Sequence, residues 1–271
     1  MLDDIRSTLA TKHLGQHLHL HREIASTNSE ALTLAHSGAE HGTVVVADSQ
    51  TAGRGRQART WFSPGGTNLY CSSLIRPMDI RIPFGDWLSW IPLASAIAVT
   101  EAVRAIAGIP LSLKWPNDLL FNEKKIGGIL CENGTDQGKQ PFVVIGIGLN
   151  VNTAPDSFPP ELAAIAGSLI QGSHRLIDRN RLLSQLLNDL EQVLDELASE
   201  GPRRLQHAYT DRCATIGKRI RVVLAESREL EGVAQAIGRD GALLVYPFTR
   251  LHHGAQQMIE VRAADVIHLG E

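Results

Sequence analysis

Few cysteines are present, and their placement argues against a disulfide framework. Cys71, Cys131 and Cys213 are odd in number and lie far apart in a chain of 271 residues. They match neither the paired cysteines of small secreted domains nor the closely spaced ligands of a zinc knuckle. We interpret all three as structural thiols, because a free cysteine usually behaves as a small buried apolar residue.

An excess of positive charge and a long apolar segment are also missing. The 26 lysines and arginines are outnumbered by 29 acidic residues, and the formal net charge of −3 gives no field that favours nucleic acid or an anionic membrane. No continuous apolar run reaches the length of a membrane helix, and the start of the chain lacks the basic and apolar regions of a signal peptide. The sequence therefore predicts a cytoplasmic protein without a membrane partner.

Familiar catalytic motifs are absent as well. The sequence contains no Gly-x-Ser-x-Gly elbow and no His-Glu-x-x-His pair. Three histidines alternate in the predicted strand at residues 17–21, but no carboxylate or cysteine is spaced to complete a ligand set, so a solvated strand face is favoured over a metal site.

The most informative segment is a glycine–arginine loop at residues 50–61, Gln-Thr-Ala-Gly-Arg-Gly-Arg-Gln-Ala-Arg-Thr-Trp, which follows an apolar run typical of a buried strand. Glycine makes such a loop flexible, and an arginine side chain can donate two parallel hydrogen bonds to the oxygens of a phosphate or a carboxylate. Taken alone, the loop is equally compatible with a solvated basic surface.

Three further blocks follow the loop in the chain. They are Lys-Trp-Pro-Asn-Asp at residues 114–118, Lys-Ile-Gly-Gly-Ile-Leu at 125–130 and Gly-Ile-Gly-Leu-Asn at 146–150, and Ser-Thr-Asn at 26–28 precedes the loop. In this order the blocks closely resemble the biotin–protein ligases, and the resemblance extends from about residue 26 to the end of the chain. Four ordered blocks are far more specific than any one of them.

The resemblance implies an ATP-dependent reaction in two steps. The carboxylate of biotin attacks the α-phosphate of ATP to give biotinyl-5′-adenylate, and a lysine of a biotin carboxyl carrier domain, such as that of acetyl-CoA carboxylase, then attacks the mixed anhydride. Biotin and ATP are the implied substrates and Mg²⁺ the implied cofactor. Because the substrates supply both nucleophiles, the protein must supply orientation, positive charge and shelter from water.

Carried over position by position, the resemblance implies overlapping sets of site residues. The biotin-binding set is Ser26, Thr27, Asn28, Gln50, Gly53, Arg54, Arg56, Lys125, Gly128 and Leu130. The ATP- and adenylate-binding set is Arg56, Arg59, Trp61, Lys114, Asn117 and Asn150. The catalytic residues are Lys125, Arg56 and Arg54, and the carboxylate for Mg²⁺ is Asp118.

Simple chemistry agrees with these roles. Hydroxyl and amide side chains can form the hydrogen bonds that a buried urea no longer makes with water. A lysine between two anions cancels their repulsion. Mg²⁺ prefers hard oxygens such as those of Asp118. The family often has glycine where this chain has Ala58, so we expect the loop to lose some conformational freedom here.

The periodicity of the sequence predicts an α/β (α+β) fold. We expect a mixed sheet with flanking helices, which the resemblance relates to the class II aminoacyl-tRNA synthetases, with helices at residues 28–36, 88–106 and 178–199 and a central strand at 142–151. Short strands with turn signals follow residue 217. Residues 1–215 are therefore the predicted catalytic domain, and residues 216–271 the predicted SH3-like β-barrel.

Some alternatives stay open at this point. Ser26 or Thr27 could cap a helix, Lys125 could be a solvated strand-edge lysine, and Asp118 could brace a turn. The turn at residues 239–241 could fold over the nucleotide or be a plain surface hairpin. A homodimer is possible, and the sequence does not decide it.

Other functions are also compatible with parts of the sequence. Lipoate ligases and octanoyl transferases share a related fold, and a vitamin-binding module would need fewer cations. Some biotin–protein ligases are repressors, but the 25 residues before Ser26 offer no room for a helix-turn-helix domain, so we predict no specific DNA binding.

Overall fold

The computed structural model describes residues 2–224, 229–248, 257–262 and 264–269. Its main sheet has seven strands in the order β1-β2-β3-β7-β6-β5-β4. β1 and β2 are parallel and every other neighbouring pair is antiparallel, which confirms the predicted mixed sheet. The strands are β1 (Leu18–Ile24), β2 (Val44–Gln50), β3 (Leu69–Ile75), β4 (Ser112–Lys114), β5 (Asp118–Phe121), β6 (Lys124–Thr135) and β7 (Pro141–Leu149).

The centre of the sheet is buried on both faces. Successive residues of a strand point to opposite faces, and accordingly Val44 belongs to the large core cluster whereas Val45 belongs to a smaller one. The large cluster contains the apolar face of α3 (Phe84–Ala107), which packs against α6 (Arg179–Glu200). The smaller cluster lies beneath α2 (Thr27–His36). The strand predicted at residues 142–151 is β7, fourth of seven, as its continuous apolar run indicated.

Helix boundaries follow the capping signals in the sequence. The Ser26 side chain accepts a hydrogen bond from Ser29 N at the start of α2, and Asp178 accepts two from backbone amides at the start of α6. Gly108 ends α3 with a φ of 71°, where glycine is the least strained residue. The three predicted helices are therefore confirmed, with ends that differ by a few residues.

Several elements were not predicted. Residues 118–121 form β5, which pairs with β4 as a hairpin, because the turn signals of the preceding Pro-Asn pair obscured a short strand. The additional helices are α1 (Leu2–Thr8), α4 (Pro160–Ala163), α5 (Ile170–Ser173) and α7 (Arg203–Thr210). The loop expected at residues 153–160 contains one 3₁₀ turn, at Pro155–Ser157.

A second, smaller sheet follows α7. Five antiparallel strands lie in the order β11-β10-β9-β8-β12, which confirms the predicted C-terminal β unit. They are β8 (Arg219–Val223), β9 (Glu229–Ile237), β10 (Leu243–Pro247), β11 (Ile259–Val261) and β12 (Asp265–His268). The division at residue 215 itself stays a prediction.

Hydrogen bonds join the second sheet to the rest of the protein. The indole N–H of Trp90 on α3 donates to Arg239 O (2.7 Å), and that of Trp115 donates to Gly241 O (3.1 Å). Both indoles are fully buried. The turn at residues 239–241 therefore docks against α3 and does not lie on the cavity described below.

Helix α3 is the one described helix with the length and composition of a membrane span, and two-thirds (67%) of its most apolar window is buried inside the protein. A search for continuous apolar runs misses this helix, because charged residues interrupt its sequence. The burial marks α3 as the core helix of the large cluster.

Candidate functional site

A large cavity of about 900 Å³ lies between the middle of the main sheet and the second sheet. Its wall includes strands β6 and β7, the glycine–arginine loop, the hairpin of β4 and β5, and residues 265–268 of β12. Every predicted site residue except Gly53 lies on this wall. Tertiary structure thus gathers side chains that are more than 120 residues apart in the sequence.

Gly53 lies behind the wall for a packing reason. A Cβ atom there would come within 2.6 Å of both Ser63 Oγ and Trp61 O. Only glycine fits so closely against this backbone, so the residue shapes the loop from behind.

A network of hydroxyl and amide groups forms one end of the cavity. Gln50 Oε1 accepts hydrogen bonds from the backbone N–H (2.9 Å) and the hydroxyl (3.2 Å) of Thr27, and Gln50 Nε2 donates to Ser63 Oγ (2.9 Å). The hydroxyl of Ser72 lies 2.6 Å from Asn28 Oδ1. Because Thr27, Asn28 and Ser72 are almost fully buried, their mutual bonds hold a polar surface in an apolar sheet.

Glycines of the two central strands make room for this network. A Cβ atom at Gly146 would lie 1.9 Å from Asn28 Oδ1, and one at Gly148 would lie 2.6 Å from Trp61 Nε1. At Gly128, in contrast, the nearest atoms would be 3.5 Å away. Two of the three glycines are therefore required by neighbouring side chains, whereas a methyl group at Gly128 would make only ordinary contacts with Lys125 and Trp61.

The glycine–arginine loop is a compact turn. Arg54 and Thr60 form an antiparallel bridge, and Gly55 N donates to Arg59 O (2.7 Å). Gln57 and Ala58 adopt positive φ angles of 53° and 58°. A side chain in this region costs about 1–2 kcal/mol per residue, which explains why glycine suits the position of Ala58.

Each arginine of the loop has an acidic or carbonyl partner. Arg54 is paired with Glu132 on β6, and Arg59 with Asp265 on β12. Arg56 donates to Asn117 Oδ1 (2.8 Å) and to Ala264 O (3.0 Å), and burial lowers its pKa. The pairs therefore attach the loop to both sheets. Two of these partners, Glu132 and Asp265, were not among the predicted site residues.

Lys125 is the cation on the β6 side of the cavity. Its ammonium group lies 2.6 Å from Asp118 Oδ1 and 5.5 Å from the centre of the Trp61 ring. Lys124 points elsewhere, as the alternation of a strand predicts, and donates to Ala163 O (3.2 Å). The side chain of Lys125 is about one-third exposed (34%), so the lysine can reach a ligand in the cavity.

The hairpin of β4 and β5 carries the Lys-Trp-Pro-Asn-Asp block, with a cis peptide bond between Trp115 and Pro116. Lys114 and Asp118 are paired in the antiparallel register, and Asn117 Nδ2 donates to Ile129 O (3.0 Å). Burial lowers the pKa of Lys114. The block thus presents a lysine, an amide and a carboxylate to one cavity.

Asn150, on the same wall, forms hydrogen bonds to the backbone of the segment that follows β7. It is 5% exposed, its Nδ2 donates to Gly167 O (3.0 Å), and its carbonyl accepts from Leu169 N. Asn150 therefore holds the segment after β7, which includes the exposed side chain of Ile165, beside the cavity.

Lys218 and His268, at the cavity edge of the second sheet, were also missed. Glu132 lies two residues after the block at residues 125–130, so this neighbourhood was a signal that could have pointed to it. Asp265 and His268 lie in the short strand β12, and Lys218 immediately precedes β8. None of the three belongs to a motif, so no local signal pointed to them.

Comparisons with known proteins agree with this geometry. The model of the biotin/lipoate A/B protein ligase family matches residues 20–150. The bifunctional ligase/repressor BirA of Bacillus spizizenii is 39% identical over 246 residues, which are 89% of this chain and 73% of that protein. The biotin–[acetyl-CoA-carboxylase] ligase of Mycobacterium tuberculosis is 37% identical over 251 residues, which cover 91% of this chain and 87% of that one.

A solved structure is also similar. The biotin protein ligase of Aquifex aeolicus in complex with biotin and ATP superimposes with a TM-score of 0.77 and 26% identity, over 94% of this chain and all of that one. The shared fold, the ordered sequence blocks and the cavity lead to one conclusion: this chain belongs to the biotin–protein ligases of the biotin/lipoate protein ligase family.

Proposed function

We propose that this protein activates biotin with ATP as biotinyl-5′-adenylate and then transfers biotin to a lysine of a biotin carboxyl carrier domain. The observation that supports this most is the shared cavity. A neutral network of amides and hydroxyls occupies one part of its wall, cations occupy another, and Lys125 belongs to the same wall.

The neutral network suits the ureido ring of biotin. Ser26, Thr27, Asn28 and Gln50 offer donors and acceptors that hydrogen bonds already fix. Thr27 is bonded to Gln50, Asn28 to Ser72 and Ser26 to Ser29 N. A buried urea loses its hydration, and such fixed partners replace it. We assign Gly128 and Leu130 to the biotin wall as well, since both lie on the cavity and Gly128 carries no side chain of its own.

The cations suit the reaction itself. When the biotin carboxylate attacks the α-phosphate, two anions meet, and we assign Lys125 to the space between them with Arg54 and Arg56 beside it. Positive groups that are held in place stabilise the developing charge without reorganising. Arg59, Trp61, Lys114, Asn117 and Asn150 form the nucleotide side of the site in this proposal.

A magnesium ion fits this wall only when phosphate holds it as well. No group of three His, Cys, Asp or Glu side chains in the described ranges could bind a metal ion. Asp118 offers one carboxylate beside Lys125, with one oxygen already bonded. Mg²⁺ usually takes one or two carboxylates plus phosphates and water, so Asp118 would hold an ion that neutralises the nucleotide phosphates.

A covalent enzyme intermediate on cysteine is not part of this proposal. Burial raises the pKa of Cys71 and of Cys131 to about 12, and that of Cys213 is also raised. None of the three lines the cavity. The thiols therefore stay protonated, and the acceptor lysine attacks the adenylate directly.

The first experiment measures pyrophosphate release from the purified protein with Mg²⁺-ATP and either biotin, lipoate or octanoate. We expect release with biotin only, followed by biotin incorporation into a carrier domain with its acceptor lysine intact. A carrier domain with arginine at that lysine is the control. Pyrophosphate release with lipoate or octanoate instead would assign the protein to the lipoate ligases or octanoyl transferases and refute the proposal.

Three further points extend the proposal. We infer a cytoplasmic location and no operator-selective DNA binding, and a mobility-shift assay with nanomolar retention would contradict the latter. A homodimer through the free edge of β1 is compatible with the sheet order, and sedimentation analysis decides it.

A further inference from the structure

Glu132 on β6 joins two parts of the site that lie far apart in the sequence. Its Oε2 atom accepts a hydrogen bond from Asn28 Nδ2 (2.9 Å), and the same oxygen accepts one from the guanidinium group of Arg54. Asn28 belongs to the polar network at one end of the cavity, and Arg54 belongs to the glycine–arginine loop. One carboxylate oxygen is therefore shared by a residue of the network and a residue of the loop.

Strand β6 places Glu132 beside the cavity but not on its wall. Side chains alternate along a strand, so Gly128, Leu130 and Glu132 share one face of β6. Gly128 and Leu130 line the cavity, whereas Glu132, the next residue on that face, lies off it. A carboxylate in this position can orient residues that touch a ligand without touching the ligand itself.

On the side of the network, the carboxylate helps to fix the orientation of the Asn28 amide. Asn28 Nδ2 donates to Leu130 O (3.2 Å) as well as to Glu132, and Asn28 Oδ1 accepts from the hydroxyl of Ser72 (2.6 Å). An amide with acceptors on one side and a donor on the other cannot exchange its nitrogen and oxygen without losing these bonds. Because Asn28 is almost fully buried on the cavity wall, such a loss would disturb the wall itself.

On the side of the loop, the carboxylate attaches a closed turn to β6. Arg54 forms an antiparallel bridge with Thr60, so the backbone of the loop closes on itself at this residue. Arg56 and Arg59 attach the same turn to Asn117 on the hairpin of β4 and β5 and to β12. The pair of Arg54 and its carboxylate is therefore the attachment of the loop on the side of the polar network.

We propose that Glu132 is a positioning residue that couples the pocket for the ureido ring to the glycine–arginine loop. The Asn28 amide that faces the ligand and the loop beside it are held by one carboxylate, so order in one favours order in the other. Such a coupling is reciprocal: biotin in the pocket steadies the loop, and a steady loop raises the affinity for biotin. The inference rests on the proposed function, and it gives Arg54 a task in addition to its charge.

The test compares Glu132→Gln with Glu132→Ala in the full chain. Glutamine keeps a neutral oxygen that can accept from Asn28, but it loses the charge that attracts Arg54, whereas alanine keeps neither. We expect Glu132→Ala to raise the Kd of biotin about tenfold, the size typical for loss of one hydrogen bond to a charged group. Glu132→Gln should raise the same Kd by less than about threefold, because the neutral hydrogen bond remains.

Trypsin reports on the loop directly, because it cleaves after arginine. Without ligand, both variants should be cleaved after Arg56 and Arg59 about fivefold faster than the parent, which is the upper range for a partly exposed ion pair such as this one, with side chains 40% and 28% exposed. Arg54→Gln should be cleaved at these two sites as fast as Glu132→Gln. The double variant should be cleaved no faster, because both changes remove the same pair.

Glu196→Gln is the matched control. Glu196 is also a partly exposed glutamate that is paired with an arginine, Arg204, and neither residue lines the cavity. The control loses the same charge and the same kind of ion pair. It should therefore keep the parental Kd of biotin and the parental rate of loop cleavage.

The outcomes separate the inference from the proposed function. An active parent whose Glu132→Ala variant keeps its biotin Kd and its rate of loop cleavage would overturn the coupling and leave the proposed function intact. Additive effects of Arg54→Gln and Glu132→Gln would also overturn it, since the two residues would then act separately. So would an equal acceleration of cleavage outside the loop, because that indicates general unfolding. A parent without biotin-dependent pyrophosphate release would overturn the proposed function itself.

Discussion

Replacing Gly146 by alanine tests whether the polar network beneath the cavity depends on the missing side chain. The new methyl group would lie 1.9 Å from Asn28 Oδ1, 2.7 Å from its Cγ and 3.0 Å from its Nδ2. Such distances are impossible, so the Asn28 side chain must move. Gly146 lies in the middle of β7, paired with β3 and β6, and the backbone has little freedom to shift instead.

The cost follows from the bonds that Asn28 would lose. Its amide donates to Leu130 O (3.2 Å) and Glu132 Oε2 (2.9 Å), and its Oδ1 lies 2.6 Å from the Ser72 hydroxyl. Each hydrogen bond contributes about 1 kcal/mol, and unsatisfied buried groups cost more. Alanine recovers about 0.4–1 kcal/mol by restricting the unfolded chain. We therefore expect the free energy of unfolding to fall by about 2–3 kcal/mol.

Chemical denaturation of Gly146→Ala measures this loss, and Gly128→Ala is the matched control. A methyl group at Gly128 would lie 3.5 Å from its nearest neighbours, Lys125 Cε and Trp61 Cζ3, which is ordinary contact. The control should unfold within about 0.5 kcal/mol of the parent, as most substitutions without a steric or polar conflict do. Titration with biotin should show a weaker affinity for Gly146→Ala, because the displaced network lies on the proposed biotin wall.

A double-mutant cycle decides whether the clash is the cause. In an Asn28→Ala background the atoms that obstruct the methyl group are absent, so the Gly146 substitution should cost less than about 1 kcal/mol there. An equal cost in both backgrounds would show that the reasoning is wrong. So would a Gly146→Ala protein as stable as the parent.

Three other changes test separate parts of the structure. Lys125→Ala should reduce biotin-dependent pyrophosphate release by at least about 100-fold, the loss typical of one fixed charge at a transition state, while biotin binding measured by calorimetry falls far less; comparable losses in both would remove Lys125 from the chemistry. His268 has a folded pKa lowered from 6.5 to about 4, so the unfolded state binds more protons between these values and stability is lost as the pH falls from 6.5 towards 4. Thermal melts should therefore show that the parent loses more stability over that pH window than His268→Gln does. The same pH dependence in both proteins would contradict the lowered pKa of His268. Glu191, which is 9% exposed, accepts hydrogen bonds from three backbone amides at residues 12–14, and Glu191→Gln should lower the unfolding free energy by about 2 kcal/mol because an amide nitrogen cannot accept them; kcat of the folded protein should stay at the parental value.

Local patterns in the sequence determined much of the fold. The apolar run at residues 142–151 required a strand buried on both faces, and only a central strand such as β7 meets that requirement. Leucines at helical spacing and the caps Asp178 and Gly201 defined α6. Periodicity and capping depend on residues that lie only a few positions apart, so both can be recognised in a single sequence. The ordered blocks also identified the family, and all but one of the site residues that they predicted lie on the cavity wall.

Only the tertiary structure decided which charges meet. The partners of Arg54 and Arg59 lie 78 and 206 residues further along the chain, and no local pattern pairs residues at such distances. The same holds for Lys114 and Lys218, whose charges both lower the pKa of His268 only because the second sheet docks on the hairpin of β4 and β5. Side-chain type is a property of the sequence, but counter-charges and the space around a glycine depend on which surfaces fold together.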